Sequence, residues 1–196
     1  MKRILIIGVG GIGSYLSREL NRLILNDQID IDDVEICVAD NDIVELKNIR
    51  YQNFTKADIF KNKAEVIGER YCFVDKQNRI SDVSELEPYD LIIIAVDNSQ
   101  TRKMVFDYCY SNDKEFIDLR AEGRACAFFT KAKGKDELMK SLGREISDEG
   151  SSCQLAYELE NGIIQNGNVI IATIGSQLVL NWLRGEYNPT EQIMRI

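Results

Sequence analysis

The feature that most restricts this chain is a set of four glycines, Gly8, Gly10, Gly11 and Gly13, between an apolar stretch and a helical one. Arg3 to Ile7 is short, apolar and without alternation, which suits a strand buried on both faces. From Gly13 the spacing of Tyr15, Leu16, Leu20, Leu23 and Ile24 is helical, with an end near Asn26. Glycines at such a junction let backbone N–H groups and the helix dipole approach phosphate oxygens, because no Cβ intervenes. The turn alone does not separate NAD, FAD, S-adenosylmethionine and ATP, and a tight turn without a ligand is the plain structural alternative.

A second apolar run, Val34 to Ala39, ends at Asp40, Asn41 and Asp42, so the first forty residues read as a βαβ unit. Asp40 falls where a Rossmann acid would hydrogen-bond a ribose hydroxyl. Lys61 to Tyr71 suits a helix. Asp90 to Val96 reads as a central strand whose end carries Asp97 and Asn98. Thr101 to Ser111 is then a helix, Phe116 to Leu119 a strand, and Ala125 to Lys131 a last strand, expected to be antiparallel. This alternation predicts one domain over residues 1–196, an α/β fold with a Rossmann-like, doubly wound, mostly parallel sheet and helices on both faces. Dense charge and clustered glycine and serine make 133–152 an expected mobile crossover. Val169 to Arg184, within an expected interface helix at 168–185, carries more apolar residues than a surface helix needs and predicts a homodimer contact.

Composition narrows the chemistry. The chain has no histidine, which excludes Ser-His-Asp and Cys-His catalysis and any imidazole ligand or base from this chain. Its 32 acidic and 24 basic residues leave a net charge of −8, so neither nucleic acid nor an anionic membrane surface is an expected partner. The five cysteines include no CxxC pair, which argues against a disulfide framework and a zinc site and points to a reducing cytoplasm. No apolar stretch reaches the roughly 18 residues of a membrane span.

Five segments taken in order then carry a resemblance: GVGGIGS (Gly8 to Ser14), DNDIVELKNI (Asp40 to Ile49), Gln52 and Phe54, DIFKNKA (Asp58 to Ala64), and VDN followed by Arg102. Together they resemble the ThiF/MoeB/HesA superfamily, the ubiquitin-activating-enzyme-like adenylyltransferases. The resemblance covers about residues 3 to 105 and resumes more weakly from Cys153 to Gly185. It implies binding of ATP and Mg²⁺, then attack on the α-phosphate by the C-terminal carboxylate of a small ubiquitin-like protein ending in Gly-Gly or similar. The products are an acyl-adenylate and pyrophosphate. By the family pattern Asp40 takes the ribose, Asp42 and Asn48 shape the pocket and help place the phosphates, Lys63 reaches the phosphates, and Asp97 contacts magnesium. Cys153 matches a cysteine that some members use as a covalent nucleophile. Its acidic neighbours Asp148 and Glu149 argue instead for an idle thiol, and Cys37, Cys72 and Cys109, inside apolar patterns, read as core.

The chain departs from that pattern in places. Asn48-Ile49-Arg50-Tyr51-Gln52 sets the expected catalytic and phosphate-binding arginine, Arg50, one position early, and Phe60 and Asn62 replace the usual glycine and proline before Lys63. Loss of a guanidinium aimed at the transition state would cost about 10³-fold in rate. Two other functions therefore stand beside adenylation: a catalytically degenerate nucleotide-binding scaffold, and an NAD-dependent oxidoreductase.

Overall fold

Strand β1 (Lys2–Ile7) lies at the middle of the sheet, and its side chains alternate between two cores. Ile4 and Ile6 face one hydrophobic cluster, while Leu5 and Ile7 face the other. That double burial is why the run lacks polar residues. The computed structural model of the chain describes residues 1–142, 157 and 160–195, with side chains for all of these but Leu142.

The described strands form one seven-stranded sheet in the order β3-β2-β1-β4-β5-β6-β7. Strands β2 (Val34–Ala39), β3 (Val74–Lys76), β4 (Leu91–Ile94) and β5 (Glu115–Glu122) run parallel to β1, whereas β6 (Ala125–Thr130) is antiparallel to β5 and β7 (Glu191–Arg195) antiparallel to β6. Helices α1 (Gly11–Leu25), α2 (Lys63–Tyr71) and α5 (Gly167–Arg184) cover one face through Leu16, Ile67 and Ile171. Helices α3 (Ser99–Ser111) and α4 (Lys135–Leu142) cover the other through Val105, Phe106 and Leu138. The fold is therefore the expected doubly wound, mostly parallel α/β sheet, and the strand order reverses between β1 and β4, where such sheets open a crevice.

Several elements differ from the sequence reading. The β6 strand is antiparallel as expected but is not the last, because β7 adds to its free edge. The stretch expected as a crossover contains α4, anchored by fully buried Leu138; residues 143–152 lie outside the described residues. Cys37 and Cys109 are core residues, but Cys72 is exposed, in the left-handed conformation that ends α2. In α5, Ile171, Ala172, Leu178, Val179 and Leu180 are buried against the rest of the fold, while Ile170, Ile174, Trp182 and Leu183 are only partly buried. Among the described residues no helix is long and apolar enough to cross a membrane.

The glycine turn is closed by contact as well as by conformation. Gly8 has φ +86°, and a Cβ at Gly13 would lie 2.0 Å from the Gly8 carbonyl oxygen, so α1 seats directly on the end of β1. Gly13→Ala is expected to lower the free energy of unfolding by about 3 kcal/mol or more, read by urea denaturation. A loss below about 1 kcal/mol would show that the turn can relax around a methyl group.

Candidate active site

A cleft of about 370 Å³ opens over the ends of β1, β2 and β4, and one wall is the glycine turn itself. The N-terminus of α1 is capped by Gly10 with no side-chain hydrogen bond and has no acidic residue in its first turn. The first turn thus brings no carboxylate of its own to its N–H groups; Asp40 takes only the Val9 N–H, before the cap. Gly8, Gly10 and Gly11 line the cleft, while Gly13 sits behind it and holds the helix close.

Asp40, at the end of β2, ties two loops together. Its Oδ2 accepts the N–H of Val9 at 2.8 Å, its Oδ1 accepts the N–H of Asp42 at 2.9 Å, and its backbone carbonyl accepts from Asn62 Nδ2 at 3.1 Å. Burial pushes its carboxyl above the ordinary carboxylate range, while the Lys63 charge and the two N–H donors pull it back. Because the folded-state pKa lies above the unfolded one, the native state takes up this proton first as pH falls. The cost of burying the charge is present at neutral pH and is relieved as pH drops through the folded pKa.

Lys63 opens α2 but is only 6% exposed, against the usual solvated helix lysine. Its Nζ lies 3.0 Å from Asp42 Oδ2, and its backbone N–H donates to the Asp42 carbonyl at 2.9 Å. The departures before it now have physical accounts. Asn62 caps α2, accepting from Ala64 N and Glu65 N at 2.8 and 3.1 Å, a role proline cannot play. Phe60 holds φ +72° with its ring 84% exposed, so the usual glycine at this place answers a left-handed backbone that phenylalanine adopts only under strain. Asn48 is buried and accepts the Glu45 N–H at 2.9 Å, which shapes the loop facing the glycine turn.

Asp97 stands exposed at the mouth, just beyond β4, and Asn98 beside it caps α3 through Thr101 N at 3.0 Å. Arg102, the arginine of that motif, points away from the cleft into a buried cluster. Its Nε donates to Asp118 Oδ1 at 3.0 Å, and Arg120 Nε donates to Asp118 Oδ2 at 2.7 Å, locking α3 to β5 below Asp97. Asp118 and Arg120 had no sequence signal of their own. A single carboxylate fits Mg²⁺, which keeps waters and takes its other ligands from phosphates. Among the described residues no three acidic or thiol side chains gather as a metal cage.

Gly8, Gly10, Gly11, Asp40, Asp42, Asn48, Lys63 and Asp97 are thus brought to one cleft. Arg50 is not among the residues lining it; its guanidinium lies toward Gly162, where an added Cβ would be 3.6 Å away. Cys153 lies outside the described residues. The cleft instead gains Lys47 and Arg79, two cations on loops whose positions no local pattern marks.

Residues 1–195 match the ThiF family, and the chain belongs to it. It is 30% identical over 165 residues to SUMO-activating enzyme subunit 2 of Dictyostelium discoideum, covering 78% of this chain and 24% of that protein. It is 28% identical over 132 residues to tRNA threonylcarbamoyladenosine dehydratase of Haemophilus influenzae, covering 61% of this chain and 48% of that one. The chain therefore spans less than half the length of either relative. E. coli MccB with ATP superposes with a TM-score of 0.71 at 18% identity, covering all of this chain and 60% of that one. PaaA superposes at 0.70 and 17%, with 61% of its chain covered. These two likenesses establish the shared fold.

The Asp40 environment can be read directly by ¹³C NMR of its carboxyl carbon. The midpoint is expected above the ordinary aspartate range, and Lys63→Met should move it higher still, since the compensating cation is gone. A midpoint unchanged or lowered in the variant would mean that Lys63 does not act on Asp40.

Proposed function

We propose that this protein binds Mg-ATP in the cleft and adenylates the C-terminal carboxylate of a small ubiquitin-like protein or peptide. The observation that carries the reading is the convergence of an uncapped helix N-terminus, a buried aspartate, a buried lysine and an exposed aspartate on one cleft at the reversal of strand order. Membership of the ThiF family supports it. So does the similarity to a SUMO-activating enzyme subunit, and so does MccB, whose structures include one with ATP and one in complex with N-formylated MccA.

Each residue has a physical task. Asp40 uses two lone pairs on backbone N–H groups, and its remaining acceptor capacity is suited to ribose hydroxyls. The free N–H groups of α1 hold phosphate oxygens, and Lys63, released from or shared with Asp42, meets the charge that builds on the departing pyrophosphate. When Mg²⁺ is bound, Asp97 would be its carboxylate ligand, and the ion would neutralise phosphate charge. A carboxylate oxygen of the incoming chain forms a bond to the α-phosphorus as the bond to the bridging oxygen breaks, leaving acyl-adenylate and pyrophosphate. This sequence needs neither an imidazole nor Cys153. The proposal keeps the homodimer expected from α5, and transfer to sulfur would follow adenylation as a separate step.

The position of Arg50 favours a second reading, in which the cleft holds nucleotide for a regulatory or scaffolding role. Titration with Mg-ATP and with NAD, followed by ATP–pyrophosphate exchange with proteins ending in Gly-Gly, separates the possibilities. Adenylation predicts ATP binding and exchange, with Asp97→Ala lowering exchange by about 10²-fold or more. Exchange retained in that variant refutes the role of Asp97; ATP binding without exchange for any partner supports the scaffold; tight NAD binding without ATP binding ends both.

A further inference from the structure

The cleft is lined by four carboxylates, Asp40, Asp42, Glu45 and Asp97, and by three cations, Lys47, Lys63 and Arg79. A triphosphate entering so acidic a lining needs more positive charge than Lys63, whose Nζ already lies 3.0 Å from Asp42 Oδ2. The ThiF pattern would supply an arginine at position 51, but this chain has Tyr51 there, and Arg50 does not line the cleft. The added cation therefore has to come from a position that the pattern does not mark.

Lys47 stands at the entrance to the turn that carries these residues. It precedes the 3₁₀ segment Asn48–Arg50, and its carbonyl accepts the Arg50 N–H at 3.4 Å. The N–H groups of Tyr51 and Gln52 both go to the Asn48 carbonyl, at 3.1 and 2.8 Å. The turn is thereby wound tightly, and Lys47, Asn48, Tyr51 and Gln52 all line the cleft. It also meets the glycine turn, since a Cβ at Gly10 would lie 3.7 Å from Gln52 Nε2. Gln52 is only 8% exposed and its Oε1 has no hydrogen-bond partner, so this wall carries a buried acceptor that the described residues leave for a ligand.

The Lys47 ammonium is held at this wall by a weak contact. Its Nζ lies 3.0 Å from Glu45 Oε2, and both side chains are more than half exposed, so water screens the pair and it is readily exchanged. The hydrogen bond to Glu45 pushes the ammonium pKa up, with smaller help from Tyr51 and Asp42. Lys47 is thus charged at neutral pH and feels the same acid, Asp42, that Lys63 contacts.

We propose that Lys47 is the second phosphate-binding cation of the cleft, leaving Glu45 for a phosphate oxygen when ATP enters and taking the place of the arginine that position 51 lacks. The inference rests on the adenylation reading and adds a binding residue to that same site. A triphosphate offers more charge and more acceptor oxygens than the single carboxylate it displaces. The flexible stem of an exposed lysine permits the move, whereas Lys63, buried against Asp42, is already in place. The cleft then grips phosphate with one fixed and one mobile lysine.

The test is calorimetry of the full chain with Mg-ATP, together with adenosine, a probe without phosphates, measured by displacement of ATP. Lys47→Met should weaken ATP about tenfold or more and change adenosine by less than about twofold. Lys47→Arg should recover ATP affinity to within about threefold of the native value, because the charge is restored. Lys61→Met removes an equal charge from the neighbouring loop, whose Lys61 carbonyl accepts the Val44 N–H at 2.9 Å but whose side chain is not in the lining. It should cost less than about twofold in ATP affinity. An unchanged ATP affinity in Lys47→Met overturns the inference while native ATP binding leaves the adenylation reading standing. Equal losses for ATP and adenosine, or a loss in Lys61→Met as large as in Lys47→Met, also overturn it. A larger loss in Arg50→Met or Arg79→Met gives the role to that arginine and overturns it too. Failure of the native chain to bind ATP removes the adenylation reading itself. Should Lys47→Met not fold, Lys47→Gln makes the same comparison.

Discussion

No side chain can stand between the Gly8 carbonyl and Gly13, and the architecture of the site depends on that contact. It brings the start of α1 onto the end of β1 and leaves the first N–H groups of the helix uncapped beside the strand-order reversal. Asp40 then fastens the glycine turn to the loop after β2 by accepting from Val9 and Asp42. Asp42 in turn holds Lys63 through both main chain and side chain. One chain of short contacts therefore runs from the glycine turn to the principal buried cation of the cleft, and a shift at its first link would displace the others.

The electrostatics of the cleft are poised rather than neutralised. Asp40 and Lys63 are both withdrawn from water, and each moderates the cost of burying the other. The uncapped helix end adds a fixed positive field beside them. A polyanion entering the cleft would meet donors and a cation that are already in position, so little reorganisation would be needed as charge moves during reaction. Beneath Asp97, the pairing of Asp118 with Arg102 and Arg120 ties α3 to β5.

Legibility in the sequence followed burial and locality. Strands β1, β2 and β4 are apolar because helices cover both their faces, and the glycine turn joins its strand and helix within a few residues. Edge strands β3 and β7 are short and largely exposed, so their residues carry no apolar periodicity to read. Helix α4 is held chiefly by Leu138 in a charged segment, too little for a pattern. In the site, Asp40, Lys63 and Asp97 follow strand ends and motif positions. Lys47 and Arg79 reach the cleft only through tertiary placement, and Arg50, at the end of a 3₁₀ turn over Asn48–Arg50, is not among the residues that line it. Cys72 misled for the opposite reason, since the end of α2 turns it out of the core.

The account is tested most directly by a structure of the protein with Mg²⁺ and a non-hydrolysable ATP analogue. It predicts ribose hydroxyls within hydrogen-bonding distance of Asp40, phosphate oxygens on the N–H groups at Gly10 and Gly11, and the metal between the phosphates and Asp97. Nucleotide bound elsewhere, or in this cleft with its phosphates turned away from the glycine turn, would contradict it.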